Sequence, residues 1–428
     1  MRDTAPRQPP PEIALITRVR TLNKGNQALS AAWVGLLREA FPGSAIRLIE
    51  RRPRHLLQYT LPQLAGARDP YREFDALTSR LARLAPGPGH AGAPDPTATI
   101  VLDETIPTPI RFADIRARLN LRGWMARTGR YRREYIARLA MFQRAQFVVL
   151  NPAGEFFPRS PEPAFYYLVE AHVAHKLGRP TAIVNHTMDI DDPTLRALIP
   201  RVYRELELVG FRDSKSIETY KTMGGDLANV VVSPDLALAS RVGPVGALRR
   251  NTVAIAINVP EGTARGYCDQ WLDVIRGLQA HGLEVVLVSN EFPSDLTYYE
   301  QLRRTLGVKI EGGALDYDRY AALLGSFDVV VSSRMHTAIL GMVGGAPVVA
   351  VEGASFKITG LFQELGLAGP VIRPSSPGWA QAVITQVLHA RTHRSEVVSE
   401  IASKLHGIRT RIGELLVPRL RAAEAAAA

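Results

Sequence analysis

Between Val329 and Val351 the chain reads VVVSSRMHTAILGMVGGAPVVAV, two apolar runs without polar alternation on either side of a short apolar stretch. Continuous β-branched runs of this kind are strands covered on both faces. The pattern predicts a strand over Val329–Ser332, a turn carrying Ser333, Arg334 and His336, a helix over Thr337–Gly344 and a strand over Pro347–Val351. The same alternation runs through the whole chain. Ile13–Val19 is a predicted strand, followed by a turn and a helix from about Gln27 to Ala40. Ala28, Leu29, Ala32, Trp33, Leu36, Leu37 and Ala40 lie on one face of that helix, with a period near 3.6. Further strands are predicted at Ile46–Ile49, Ile100–Leu102, Phe147–Leu150, Thr181–Asn185, Leu208–Phe211 and Val230–Val232. Leu56–Arg83 reads as mostly helical, and Pro86–Thr97 as a Pro/Gly-rich loop.

Periodicity lapses over ALASRVGPVGALRRN, so residues 239–251 read as a linker between domains. Beyond it, strands are expected at Val253–Ile257, Glu284–Ser289, Val308–Ile310 and Pro370–Ile372, besides the two already given. Helices are expected at Cys268–His281, Thr297–Leu306, Asp316–Ser326, Ile358–Leu365 and Trp379–Leu388. A last helix, Arg394–Leu415, is placed to cross back over the first domain. Alternating strands and helices on this scale make an α/β fold with parallel, doubly wound sheets. The expected architecture is two Rossmann-like domains facing a cleft, over residues 12–238 and 252–393. A proline-rich, disordered tail (1–11) precedes them, and a C-terminal helix and tail (394–428) follow.

Composition agrees with this plan. The 428 residues suit two domains of roughly 200 each, and 46% hydrophobic with 22% charged residues is the composition of a globular protein. A single cysteine, Cys268, excludes an internal disulfide. The opening MRDTAPRQPPPE lacks the apolar core of a secretory signal, and no charge-free apolar stretch approaches the ~20 residues that span a bilayer. A cytoplasmic location is the expectation. The net charge of +11 changes the picture in one place: ten arginines between Arg111 and Arg144 face only Asp114 and Glu134. Such a run suits an anionic membrane surface or a lipid-linked acceptor, or else a solvated helical face. No nucleic-acid motif accompanies it, so no nucleic-acid partner is expected.

The candidate chemistry sits at predicted strand ends, where open α/β sheets bind ligands and helix N-termini collect anions. Arg334 and His336 present a cation and an imidazole there, which points to a phosphorylated or carboxylated small molecule. Two positions apart, they converge only if the turn before the helix holds one of them, with the serine pair as N-cap. The plainer alternative is a histidine capping a core helix. Arg212, in FRDSKS, ends another strand, where it either binds a ligand or pairs with Asp213 to fix the loop. Lys357 is a natural anion partner or a surface lysine. The turn holding Asn23, Gly25 and Asn26 permits close backbone approach to a ligand, although it is neither a dinucleotide fingerprint nor a P-loop. NPAGEFFP brings Gly154 and Glu155 to a strand end, and HTMDIDD reads as a helix-capping loop. Ser-His-Asp and zinc patterns are absent, and neither a metal nor a cofactor is expected.

Taken together, these stretches resemble the polysaccharide pyruvyltransferase family. LNKGNQAL, FRDSKS, SPDLAL and SSRMHTAILGMVGGAPVVAV with Lys357 following carry the resemblance, in order, from Ile13 to about Leu367. It implies a glycosyltransferase-B-like fold and a cofactor-free transfer of the pyruvyl group from phosphoenolpyruvate to hydroxyls of a sugar or glycan. It implies further that Arg212, Arg334 and Lys357, with Ser333 beside them, hold the donor's phosphate and carboxylate, and that His336 is the general acid or base. The acceptor falls on the amino-terminal side, at Asn23, Gly25, Asn26 and Glu155. Two positions depart from the family pattern: Asn26 stands where an acid is usual, and NPAGEFF where a glycine-rich turn is usual. A nucleotide-sugar glycosyltransferase of the same fold, with Glu352 on the ribose, is one alternative. A non-catalytic basic binding protein is another.

Overall fold

The computed structural model describes residues 10–19, 21–51, 54–87, 99–101, 129–158, 161–258, 265–353, 355–367 and 369–426. The proline-rich tail (residues 1–9 of it), most of the loop at 86–97 and the basic run up to residue 128 lie outside the described residues.

The first sheet takes seven strands: β1 (Glu12–Thr17), β2 (Ala45–Glu50), β3 (Thr99–Val101), β4 (Ala145–Leu150), β5 (Thr181–His186), β6 (Leu208–Phe211) and β7 (Val230–Val232). Their spatial order is β3-β2-β1-β4-β5-β6-β7. The second sheet takes β8 (Arg249–Ala256), β9 (Glu284–Val288), β10 (Lys309–Glu311), β11 (Phe327–Ser332) and β12 (Val348–Ala350), in the order β10-β9-β8-β11-β12. Each order reverses once, between β1 and β4 and between β8 and β11. At those switch points the crossover helices leave on opposite faces and open a crevice at the carboxyl ends of the strands.

Four expectations are corrected. The first sheet is not wholly parallel, because β3 pairs antiparallel to β2 at the edge. β8 starts at Arg249, inside the stretch read as linker, since Arg249 N–H donates to Ser326 O and extends the pairing with β11. The expected last helix is two helices, Arg394–Leu405 and Ile408–Ala425, broken where Gly407 takes a φ of 72°. Pro370–Ile372 contributes only an isolated bridge, Val351 to Ile372.

One apolar layer joins the two sheets. It contains Leu29 and Trp33 of helix Lys24–Ala40, Tyr317 and Tyr320 of helix Tyr317–Gly325, Ile339 and Leu340 of helix Met335–Val343, and Leu416 and Leu420 of the last helix. A fully buried side chain of this size contributes roughly 1.5–3 kcal/mol, so the layer binds the halves firmly. The last helix also caps the first: Arg421 Nε donates to Ala40 O at 2.8 Å and its Nη2 to Glu39 O at 2.9 Å. A cation there answers the negative end of the helix dipole.

Candidate active site

A cavity of about 250 Å³ lies between the two switch points. Asn23, Asn26, Glu155, Arg212, Ser333, Arg334, His336 and Lys357 all line it, so eight of the nine residues picked out by sequence meet in one space. Gly25 lies directly behind, where an added Cβ would overlap the Cβ, Cγ and Nδ1 of His336.

Arg334 and His336 converge because they belong to different structures. Arg334 is the extended N-cap residue of helix Met335–Val343, with φ −106° and ψ 116°, and His336 lies in its first turn. The expected serine cap is not formed. Ser333 Oγ instead accepts from Asn258 N–H at 2.7 Å, and Ser332 Oγ accepts from Arg334 N–H at 3.1 Å. No side chain caps this helix, so its N–H groups and positive dipole end stand uncapped beside the cavity.

The guanidinium of Arg334 is heavily engaged. Its Nη2 pairs with Asp295, its Nε donates to Ile257 O at 3.3 Å, and its Nη1 lies 3.7 Å from Glu291 Oε2. Burial pushes the Asp295 carboxyl up despite this partner. Burial would do the same to Glu291, but Arg18 and Arg334, with a hydrogen bond from Asn23, hold it below the usual range.

Arg212 is differently placed. It is 3% exposed, its Nε donates to Thr187 Oγ1 at 2.8 Å and its Nη1 to Asp235 Oδ2 at 2.9 Å. The pairing partner is therefore Asp235 of SPDLAL, not Asp213, whose carboxylate caps helix Ser214–Thr222. Among the described residues Nη2 of Arg212 has no hydrogen-bond partner. Lys357 reaches over from the other domain: its Nζ donates to Gly154 O at 3.0 Å and stands 4.8 Å above the Phe157 ring. A Cβ built on Gly154 would lie 2.9 Å from Lys357 Nζ and 3.7 Å from Arg212 Nη2, so both cations converge on the bare face of that glycine. Burial, and then the charge of Arg212, bring the Lys357 ammonium down to about 8.

Asp235 ties this pair to the histidine. It is 2% exposed, accepts from Ala237 N–H at 2.8 Å, and its Oδ2 is 3.8 Å from His336 Nε2. Burial alone would raise its carboxyl, yet His336 and Arg212 hold it at about 2. His336 Nε2 itself makes no hydrogen bond. Asp235 lies in SPDLAL and Thr187 in HTMDIDD, but nothing local marks either as a partner of Arg212; Asp295 and Glu291 have no local signal at all, since tertiary folding alone brings them here.

The remaining candidates are mostly occupied. Asn23 Oδ1 caps the first helix by accepting from Asn26 N–H at 3.2 Å, and its Nδ2 donates to Glu291 Oε2 at 3.0 Å. Glu155 pairs with buried Arg51. Glu352 accepts from Ile358 N–H at 3.3 Å and Thr359 N–H at 3.1 Å, capping helix Lys357–Leu365. In HTMDIDD, Asp192 caps helix Pro193–Arg204. Among the described residues no group of three or more His, Cys, Asp or Glu side chains is arranged to hold a metal ion, and no helix is long and apolar enough to cross a membrane.

Two Rossmann-like domains with a charged cavity across both switch points make a fold of the glycosyltransferase-B-like class. Solved structures agree on that fold. An α,α-trehalose 6-phosphate synthase from Burkholderia multivorans superposes with a TM-score of 0.52 at 14% identity over 98% of both chains. A UDP-N-acetylglucosamine 2-epimerase from Rickettsia bellii gives 0.51 at 10% identity, covering 96% of this chain and 97% of that one. The MnaA protein of S. aureus, solved with UDP, gives 0.50 at 12% identity, covering 92% and 90%. No curated protein sequence matches. Residues 23–355 match the family model for polysaccharide pyruvyl transferase, and the chain belongs to that family. This sets aside a non-catalytic basic binding protein.

Proposed function

We propose that the cavity binds phosphoenolpyruvate and transfers its pyruvyl unit to hydroxyls of a sugar or glycan, releasing phosphate. The observation that carries the reading is the convergence of Arg212 Nη2 and Lys357 Nζ on Gly154, two cations with N–H groups to offer and no carboxylate within ion-pair distance of the lysine among the described residues. A donor with about three negative charges relieves their mutual repulsion, and preorganised charge of this kind is often the largest catalytic contribution. Arg334 and Ser333, beside an uncapped helix N-terminus, bound the rest of the donor seat.

His336 acts as the general acid. It gives its proton to the methylene carbon of the enol phosphate, the resulting oxocarbenium-like carbon is attacked by an acceptor hydroxyl, and the C–O bond to phosphate breaks. A second acceptor hydroxyl adds to the carbon so exposed, losing its proton and closing the pyruvyl ketal. Asp235 stabilises the imidazolium from 3.8 Å. The hydroxyl's proton returns to the imidazole or to solvent, and no cofactor enters the balance. The acceptor approaches the amino-terminal wall, past Asn23, Gly25, Asn26 and Glu155; Asn26 has a half-buried side chain facing the cavity. Exposed Arg132, Arg133 and Arg144 belong to the basic run and suit a cytoplasmic enzyme docking on an anionic membrane that carries a lipid-linked acceptor. Unchanged vesicle partitioning after replacing them would sink that docking.

The nucleotide-sugar alternative needs a carboxylate free for the ribose, and both oxygens of Glu352 already cap a helix. Thermal melts with phosphoenolpyruvate and with uridine diphosphate sugars decide between the two. A bound ligand stabilises by ~2.7 kcal/mol at about a hundred times its dissociation constant. The proposal expects that shift with phosphoenolpyruvate and its loss in Lys357→Met. A shift with a nucleotide sugar alone would reject it.

A further inference from the structure

Four residues within one short stretch of the first domain, Asn23, Lys24, Gly25 and Gln27, fasten onto four separate segments of the second. Lys24 N–H donates to Asn290 O at 3.1 Å, and Asn23 forms a backbone bridge with Glu291 besides its side-chain bond to it. Lys24 is wholly buried, and its Nζ donates to Leu22 O at 3.0 Å and to Gly313 O at 2.9 Å, one carbonyl from each domain. Gln27 Oε1 accepts from Tyr317 N–H at 3.1 Å, at the start of helix Tyr317–Gly325. Gly25, between these anchors, lets the first turn of helix Lys24–Ala40 lie directly against the backbone-proximal atoms of His336.

From this arrangement we propose that Asn23, Lys24 and Gly25 form an interdomain clasp that positions Arg334 and His336 from across the cleft. Asn23 acts on Arg334 through Glu291, which stands 3.7 Å from its Nη1. Gly25 acts on His336 by contact. A methyl group at residue 25 meets the Cβ of His336 as well as the ring, so rotating the imidazole does not relieve it. Helix Met335–Val343 must instead move off helix Lys24–Ala40, and the clasp opens with it. Lys24 and Gly25 do not line the cavity and act as positioning residues, whereas Asn23 lines it as well as holding Glu291.

Gly35 supplies the control. It is an exposed glycine in the same helix, with nothing within 4 Å of an added Cβ. Gly→Ala favours a helix wherever the space is open, so Gly35→Ala melts higher and keeps wild-type turnover. Gly25→Ala, in the first turn of that helix, lowers kcat for phosphate release by ~100-fold, the effect of misplacing a reacting group by about 1 Å. Donor KM changes much less, because the Arg212–Lys357 side of the seat is not displaced. Amide exchange at residues 313–317 and 335–337 rises about tenfold in Gly25→Ala and in Lys24→Met, as local opening becomes easier.

Wild-type exchange in both variants overturns the clasp, and so does full kcat in Gly25→Ala. Lost turnover with unchanged exchange also overturns it, because the alanine then acts only locally. The kinetic arm rests on the pyruvyl-transfer reading and the exchange arm does not. If the wild type neither binds phosphoenolpyruvate nor releases phosphate, that reading falls, and exchange still decides the clasp.

Discussion

Arg334 and Arg212 line the same cavity and differ in what each has left to offer a ligand. Arg334 is held by Asp295, by the Ile257 carbonyl and, more loosely, by Glu291. Asp295 and Glu291 together balance the guanidiniums of Arg334 and Arg18, leaving no net positive charge there. Arg212 has one carboxylate, Asp235, and beside it Lys357 has none within ion-pair distance among the described residues. The excess cation therefore lies on the Arg212–Lys357 side, although the Arg334 block is the more conspicuous in the sequence. A cation's place in a motif says where its backbone is; its free charge depends on neighbours that the motif does not contain.

The largest expected effect follows from removing the carboxylate that Arg212 depends on. Asp235→Ala leaves a guanidinium buried without its counterion, which costs about 3–5 kcal/mol, read from urea denaturation. The pH dependence has a definite sign. The Asp235 carboxyl is held at about 2, below its ordinary value, so its contribution is present above pH ~4 and is lost as pH falls toward 2. A loss under ~1 kcal/mol, the usual worth of an exposed pair, would mean that Arg212 is as well supported as Arg334, and the contrast would fail.

His336→Ala comes next. The ring's Nε2 makes no hydrogen bond and Arg212 still faces Asp235, so the loss of stability should be well below that of Asp235→Ala. A lost general acid lowers kcat by ~10²–10⁴-fold, read from phosphate release. Equal losses in stability and turnover would make His336 a core residue.

Lys357 gives a smaller effect that sharpens the contrast directly. Its ammonium titrates at about 8 rather than 10.5, because burial and Arg212 disfavour the charged form. An anionic donor favours that form. Donor affinity should be flat below pH 8 and fall by up to ~tenfold per pH unit above it. Lys357→Arg, charged throughout, should remove the slope. Lys24 titrates in the same range, so affinity is a cleaner readout than stability. A slope that persists in Lys357→Arg would assign it to another group.

The fold was legible because its strands are buried on both faces: β5 and β11 have no exposed residue, and such runs announce themselves as unbroken apolar stretches. The site was legible as far as it sits on strand ends, which brought eight candidates into one cavity. Pairing was not. Arg334 meets Asp295 across 39 positions and Arg212 meets Asp235 across 23, through side chains whose neighbours only tertiary packing selects. The break at Gly407 inside the expected helix Arg394–Leu415 is hidden for a related reason, since a glycine tolerated inside a helix and one that ends it look alike until φ is known.

The smallest effect tests the Arg334 side. Glu291→Gln keeps an oxygen to accept from Asn23 Nδ2 and removes the charge facing Arg18 and Arg334. The Arg18 and Glu291 side chains are 29% and 27% exposed, so solvent screens the pair and the loss should be under ~1 kcal/mol, shrinking further in salt. Asp295 still pairs with Nη2 of Arg334, so most of the neutralisation survives, and donor affinity should rise only slightly as Nη1 loses its competitor. A gain as large as the loss in Lys357→Met would show that Arg334 holds the donor once Glu291 releases it. The two guanidiniums would then differ in occupancy before the ligand arrives, and not in function.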